Sequence, residues 1–136
     1  MHLRSQISVE YMLIMGFATL MTVPLLLIYY SYSSDSSDTV ATGQAMQIAR
    51  KIVDTSESVY YLGSPSQTTL KLSFPDKIQS INLSKYEVVF KMKTKNGITD
   101  VVQVSAVNIT GNLPKSQGIH VITVKAQDGY VSVTSN

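Results

Sequence analysis

The chain has no cysteine, so any exported domain it carries must be held by its core, by glycans or by neighbours rather than by disulfides. Histidine is nearly absent as well: His2 precedes a long apolar run, and His120 stands alone beyond it. A Ser-His-Asp arrangement would have to join His120 to Ser105 or Ser132, and neither serine lies in a nucleophile-elbow pattern. His120 therefore reads as an ordinary strand residue. The chain also lacks GxGxxG, GxxxxGK and HExxH patterns, and Asp35 and Asp38 do not have the ligand density of a calcium loop. They read as solvated residues of a hinge. A non-enzyme with no cofactor and no metal is expected. Charge is scarce too: charged residues make up 15% of the chain and the formal net charge is +2, too little and too scattered for a nucleic-acid surface.

What the chain does have is one uninterrupted apolar run. From Tyr11 to Tyr30 it reads YMLIMGFATLMTVPLLLIYY, without a formal charge, and the next charge is Asp35. At a rise of ~1.5 Å per residue, such a helix covers the ~30 Å hydrocarbon core of a bilayer. His2 and Arg4 lie ahead of the run, and Asp35 and Asp38 lie beyond it. The positive-inside bias therefore puts Met1 in the cytoplasm and the remainder outside. Tyr29, Tyr30 and Tyr32 suit the outer headgroup level. Pro24 removes one helix hydrogen bond midway along and allows a kink. Gly16, Ala18 and Thr19 offer close approach to a second helix.

The serine-rich patch SYSSDSS, residues 31 to 37, follows as a hinge, and the remaining residues suffice for one modest core. Between Val40 and Leu62, apolar Val40, Ala45, Met46, Ala49, Ile52, Val53, Val59, Tyr60 and Leu62 approach the spacing of an amphipathic helix. Gly63 suits a left-handed cap, and Pro65 cannot continue the helix. From there the periodicity is two. Six strands are predicted, at 68–74, 77–83, 86–93, 98–107, 119–126 and 130–135, and the segment from Gly111 to Gly118 around Pro114 reads as a separator. The expected fold is α+β: a long hydrophobic helix continuing into an amphipathic one, then an antiparallel sheet or small β-sandwich. Two sequons, at Asn82 and Asn108, permit N-glycosylation of an exported chain.

One carboxylate, Glu10, sits at the mouth of the apolar run. Near a helix N-terminus a negative charge suits the macrodipole, and near the membrane edge its cost is small. That accounts for tolerance, not purpose. Around it the chain reads Gln6-Ile7-Ser8-Val9-Glu10-Tyr11-Met12-Leu13-Ile14, after the short polar leader from Met1 to Ser5. This resembles the Q-x-S-x-E-x-x-x-L pattern of the class III signal peptides of archaeal type IV pilin-like proteins. Ile14 stands where the pattern has leucine, and Leu13 comes one residue early.

The resemblance implies a prepilin peptidase that cuts between Ser5 and Gln6, with Ser5, Gln6, Ser8 and Glu10 forming the processing region. It implies a leader at 1–5, a hydrophobic helix with its hinge at 6–39, and an extracellular β-domain with its amphipathic helix at 40–136. Glu10 becomes the fifth mature residue, where type IV pilins use a glutamate to meet the terminal amine of another subunit. Glu10 and Pro24 are then assembly residues. The implied partners are further copies in a helical homopolymer, the pilus assembly machinery, the cytoplasmic membrane before assembly, and glycans. Two other readings use the same residues. One is a membrane-anchored accessory protein of an archaellum or pilus machine. The other is an ordinary secreted protein, cut after Ser33 in the SYS triplet, although an h-region of ~7–15 residues is shorter than the run observed here.

Overall fold

A computed structural model describes the backbone from His2 to Asn136 and the side chains from Ser8 onward. One helix, α1 (His2–Leu62), is followed by β1 (Gln67–Phe74), β2 (Ile78–Ser84), β3 (Glu87–Thr94), β4 (Gly97–Val104), β5 (Ile109–Asn112), β6 (Gly118–Gln127) and β7 (Tyr130–Ser135). The fold is α+β, with a long apolar N-terminal helix and a seven-stranded sheet. The chain forms two compact units, Met1–Ser37 and Asp38–Asn136.

In the first unit α1 carries straight through Pro24, which sits inside the helix without ending it. Proline has no N–H to offer the carbonyl of Leu20, and the loss of a single bond is tolerable where the helix continues on both sides. The serine-rich segment 31–37, expected as a hinge, is helical throughout. Serine costs only a few tenths of a kcal/mol relative to alanine in a helix, so the pull of the flanking helix outweighs it.

In the second unit the helix buries Ala41, Ala45, Ile48, Ala49, Ile52, Val53, Ser56 and Val59. Ala45, Ala49, Ile52, Val53 and Val59 lie inward as expected, and the stripe differs at its margins. Val40, Met46 and Leu62 are exposed, while Ala41 and Ile48 take the inward places. Alanines at 41, 45 and 49 form an i, i+4, i+8 ridge of small side chains, which lets the helix lie close to its partner surface. Gly63, at φ 85°, then ends the helix, its N–H bonding the carbonyl of Tyr60 at 3.0 Å.

The strands lie in the order β1-β6-β7-β5-β2-β3-β4. Phe74, Val88, Phe90, Met92, Ile109, Ile122, Val124, Val131 and Val133 are fully buried and join the helix stripe in one core cluster. Phe74 and Phe90 meet edge to face, with ring centroids 6.1 Å apart.

Two expectations about the sheet are corrected. The strand predicted over 98–107 ends at Val104, and a seventh strand, β5, lies where a separator was expected. β5 pairs in parallel with β7, from Ile109 opposite Val131 to Asn112 opposite Thr134, so the sheet is mixed rather than antiparallel. Its other neighbour is β2, which it meets at a single ladder position, Leu83 opposite Gly111. Gly111 is required there: a Cβ on it would lie 1.9 Å from the carbonyl oxygen of Val133.

Candidate functional site

Every side chain from Ser8 to Ser37 is exposed. Among the described residues α1 is the one helix long and apolar enough to cross a membrane; its best window has a mean hydropathy of 2.1 and none of it is buried. A helix apolar on all sides cannot rest stably in water, and it fits a lipid bilayer or a sheath of other helices.

Its surface is not uniform. Met15, Gly16, Thr19, Leu20, Val23 and Pro24 line a shallow, almost wholly apolar groove along one face. The threonine hydroxyls of the run are satisfied within the helix. Thr19 Oγ1 donates to the carbonyl of Met15 at 2.8 Å, and Thr22 Oγ1 to that of Ala18 at 2.7 Å. They therefore add no unpaired donor to an apolar setting. No atom lies within 4 Å of the place a Cβ would take on Gly16, so this part of the helix is open to close approach. Of the three small residues expected to allow that approach, Gly16 and Thr19 line the groove and Ala18 does not.

Ser8 and Glu10 are exposed on the helix at the start of the run. The side chains of Ser5 and Gln6 lie outside the described residues. The spacing of Glu10, Ile14, Phe17 and Met21 puts them on one helix face, and none of these lines the groove. Pro24 continues the same spacing and also borders the groove, so of the two expected assembly residues only Pro24 touches it.

In the second unit, two helix carboxylates hold the helix to the loops of the sheet. Asp38, expected to be solvated, accepts from Lys77 Nζ at 2.7 Å through Oδ1 and from the Lys95 N–H at 2.8 Å through Oδ2. Lys77 has φ 68° in the turn before β2, and its carbonyl accepts from the Lys93 N–H at 2.7 Å. The bond from Lys77, and then that from Lys95, hold the Asp38 carboxyl below its ordinary pKa; the bond to Asp38 raises that of Lys77. Further along the helix, Glu57 Oε1 accepts from the Ala106 N–H at 2.8 Å. Sequence reasoning missed both clamps.

His120 shares its Nε2 with the carbonyl of Ser116 at 2.8 Å, and its ring centroid lies 5.0 Å from that of Phe74. Ser105 is buried and its Oγ accepts from the Val107 N–H at 3.1 Å, while Ser132 pairs with Lys125 across the sheet. No group of three or more potential metal ligands occurs among the described residues. The two sequons differ. Asn82 is exposed on β2, whereas Asn108 is half-buried and its Oδ1 is shut away without a hydrogen-bond partner. Compared with known proteins, the chain matches no family model, no curated protein and no solved structure.

Proposed function

We propose that this chain is a pilin-like structural subunit of an archaeal type IV pilus-like surface filament. It is made as a precursor held in the cytoplasmic membrane by its apolar helix, cut between Ser5 and Gln6 by a prepilin peptidase, and drawn into a helical homopolymer by the assembly machinery. The β-domain is then exposed for adhesion or cell contact. The observation that carries this reading is an apolar helix, exposed all round, that begins with the Q-x-S-x-E pattern and a single carboxylate and ends as part of a folded domain's core.

The physical case turns on Glu10. When such helices leave lipid for a filament interior, a carboxylate in low dielectric requires a partner, and the terminal ammonium of another copy supplies both charge and donors. The groove at Gly16 and Thr19 gives a packing surface turned away from Glu10, with Pro24 at its border.

The test is Glu10→Ala. Alanine is cheaper than a carboxylate in lipid, so the variant inserts and is processed normally. It loses the charge that fixes axial register, and mature protein accumulates in membranes with few or no filaments. Glu10→Asp, one methylene shorter, assembles in part. Filaments of normal number and length from the alanine variant would reduce Glu10 to a boundary residue.

A further inference from the structure

The sheet ends in two open edges, β1 on one side and β4 on the other. Long flat edges are usually blunted, because their unpaired N–H and C=O groups recruit other strands. These two are eight residues each. On β4 the outward side chains include Ile98, Val102 and Val104, exposed by 59%, 50% and 70%, with Asp100 among them. Beside β1 run two grooves shared with the helix, one lined by Gln44, Ile48, Lys51, Lys71 and Leu72, the other by Thr55, Val59 and Thr68. The β1 edge therefore has room on its helix side.

We infer that β1 of one copy pairs with β4 of a second copy, joining their sheets edge to edge with Lys71 opposite Asp100. Strand direction permits it. Following the pairing across the sheet, β1 and β4 run in opposite directions, so two copies in the same orientation bring them together antiparallel. Register then selects the partner. With all eight residues overlapped, Gln67 faces Val104, Lys71 faces Asp100 and Phe74 faces Gly97. Buried Leu72 marks the inward positions of β1 as even numbers, and buried Val101 marks those of β4 as odd. The full overlap matches inward with inward and outward with outward, as a continuous sheet demands.

Self-pairing of either edge does not. Two β1 strands in full antiparallel overlap set Leu70 against Lys71, an inward residue against an outward one. Two β4 strands likewise set Asp100 against Val101. Of the two one-residue slips that restore the faces, one brings Lys71 against Lys71, or Asp100 against Asp100, and like charges directly opposite repel. The other sets Leu70 against Leu70, or Val101 against Val101, and joins no opposite charges, so the β1–β4 contact alone gains a charge pair. Among the described residues neither Lys71 nor Asp100 forms an ion pair within its own copy, although Lys91 stands opposite Asp100 on β3. The contact is head to tail, so it propagates from copy to copy. It does not depend on the fate of the N-terminal helix.

Because the chain has no cysteine, the pairing can be trapped in the full-length protein in its own membranes. In one copy, residues 71 and 100 lie on opposite edges, six strand spacings or about 29 Å apart, whereas a disulfide needs Cα atoms within ~7 Å. A bond in the double variant Lys71→Cys/Asp100→Cys therefore joins two copies. Mild oxidation should give a ladder of multimers, and a mixture of the two single variants should give dimers. Lys125→Cys/Asp100→Cys, whose first site is on the interior strand β6, should give at least tenfold less product. In uncrosslinked protein, Lys71→Asp or Asp100→Lys should each lower the associated fraction several-fold, and the double reversal should restore it. Monomers only, a ladder no stronger than the Lys125 control, dimers from Lys71→Cys alone, or no rescue by the double reversal would overturn the inference. Loss of filaments with the ladder intact would count against the filament reading alone.

Discussion

Lys77 Nζ lies 2.7 Å from Asp38 Oδ1, across 39 residues of chain, while the second oxygen of the same carboxylate takes the Lys95 N–H. One side chain thus ties the helix to the turn between β1 and β2 and to the turn between β3 and β4. Asp38→Asn should lower the melting temperature of the β-domain by a few degrees at neutral pH. The Asp38 pKa is depressed in the fold, so its contribution is complete above the ordinary value of 3.8 and fades as pH falls through the depressed one. The Lys77 pKa is raised above 10.5, so its share fades only as pH rises past the raised value. The gap between wild type and Asp38→Asn, followed by circular dichroism in detergent, should be flat between these limits and close at the acid end. A gap that widens in acid would refute the assignment.

Gly111 should be the least replaceable glycine of the sheet. Its Cβ site collides with the Val133 carbonyl, which is backbone and cannot swing aside, so Gly111→Ala should cost more than about 3 kcal/mol or abolish folding. Gly129, at φ 86° with open space around it, should cost only about 1–2 kcal/mol as alanine. Urea midpoints of the two variants decide the point, and equal losses would contradict the close approach of β5 to β7.

Ser56 is fully buried in the helix stripe, and its hydroxyl has no hydrogen-bond partner. Ser56→Ala removes a desolvated polar group at little change of volume and should stabilise the domain by about 1 kcal/mol. A loss of similar size in the urea midpoint would mean that the hydroxyl is satisfied.

For a chain exported by a glycosylating host, glycopeptide mass spectrometry should find sugar on Asn82 and none on Asn108. The first side chain faces solvent, and the amide oxygen of the second is enclosed. Occupancy of Asn108 alone would reverse the expectation.

Much of the sheet is legible in sequence because alternation is a local signal. Leu70, Leu72 and Phe74, or Val88, Phe90 and Met92, announce an inward face within a few residues. β5 is not legible: Ile-Thr-Gly-Asn is four residues long, carries turn chemistry, and owes its strand conformation to β7 and β2, which flank it in space. The clamps at Asp38 and Glu57 are hidden for the same reason, their partners lying 39 and 49 residues away for the side-chain pair and the Ala106 N–H. The helix stripe is legible at Ala45, Ala49, Ile52, Val53 and Val59 and misread at its margins, because Val40 and Met46 are more apolar than Ala41, although the close packing favours the smaller side chain. The apolar run and Glu10, by contrast, need no partner to be seen.

Whether the apolar helix stays with the mature chain and enters a filament is read from the N-terminal peptide mass of this protein recovered from sheared surface filaments. The expected result is a mature chain beginning at an uncyclised Gln6, present in the filament fraction. A chain beginning at Ser34, or one found only in membranes with residues 1–5 still attached, would contradict it.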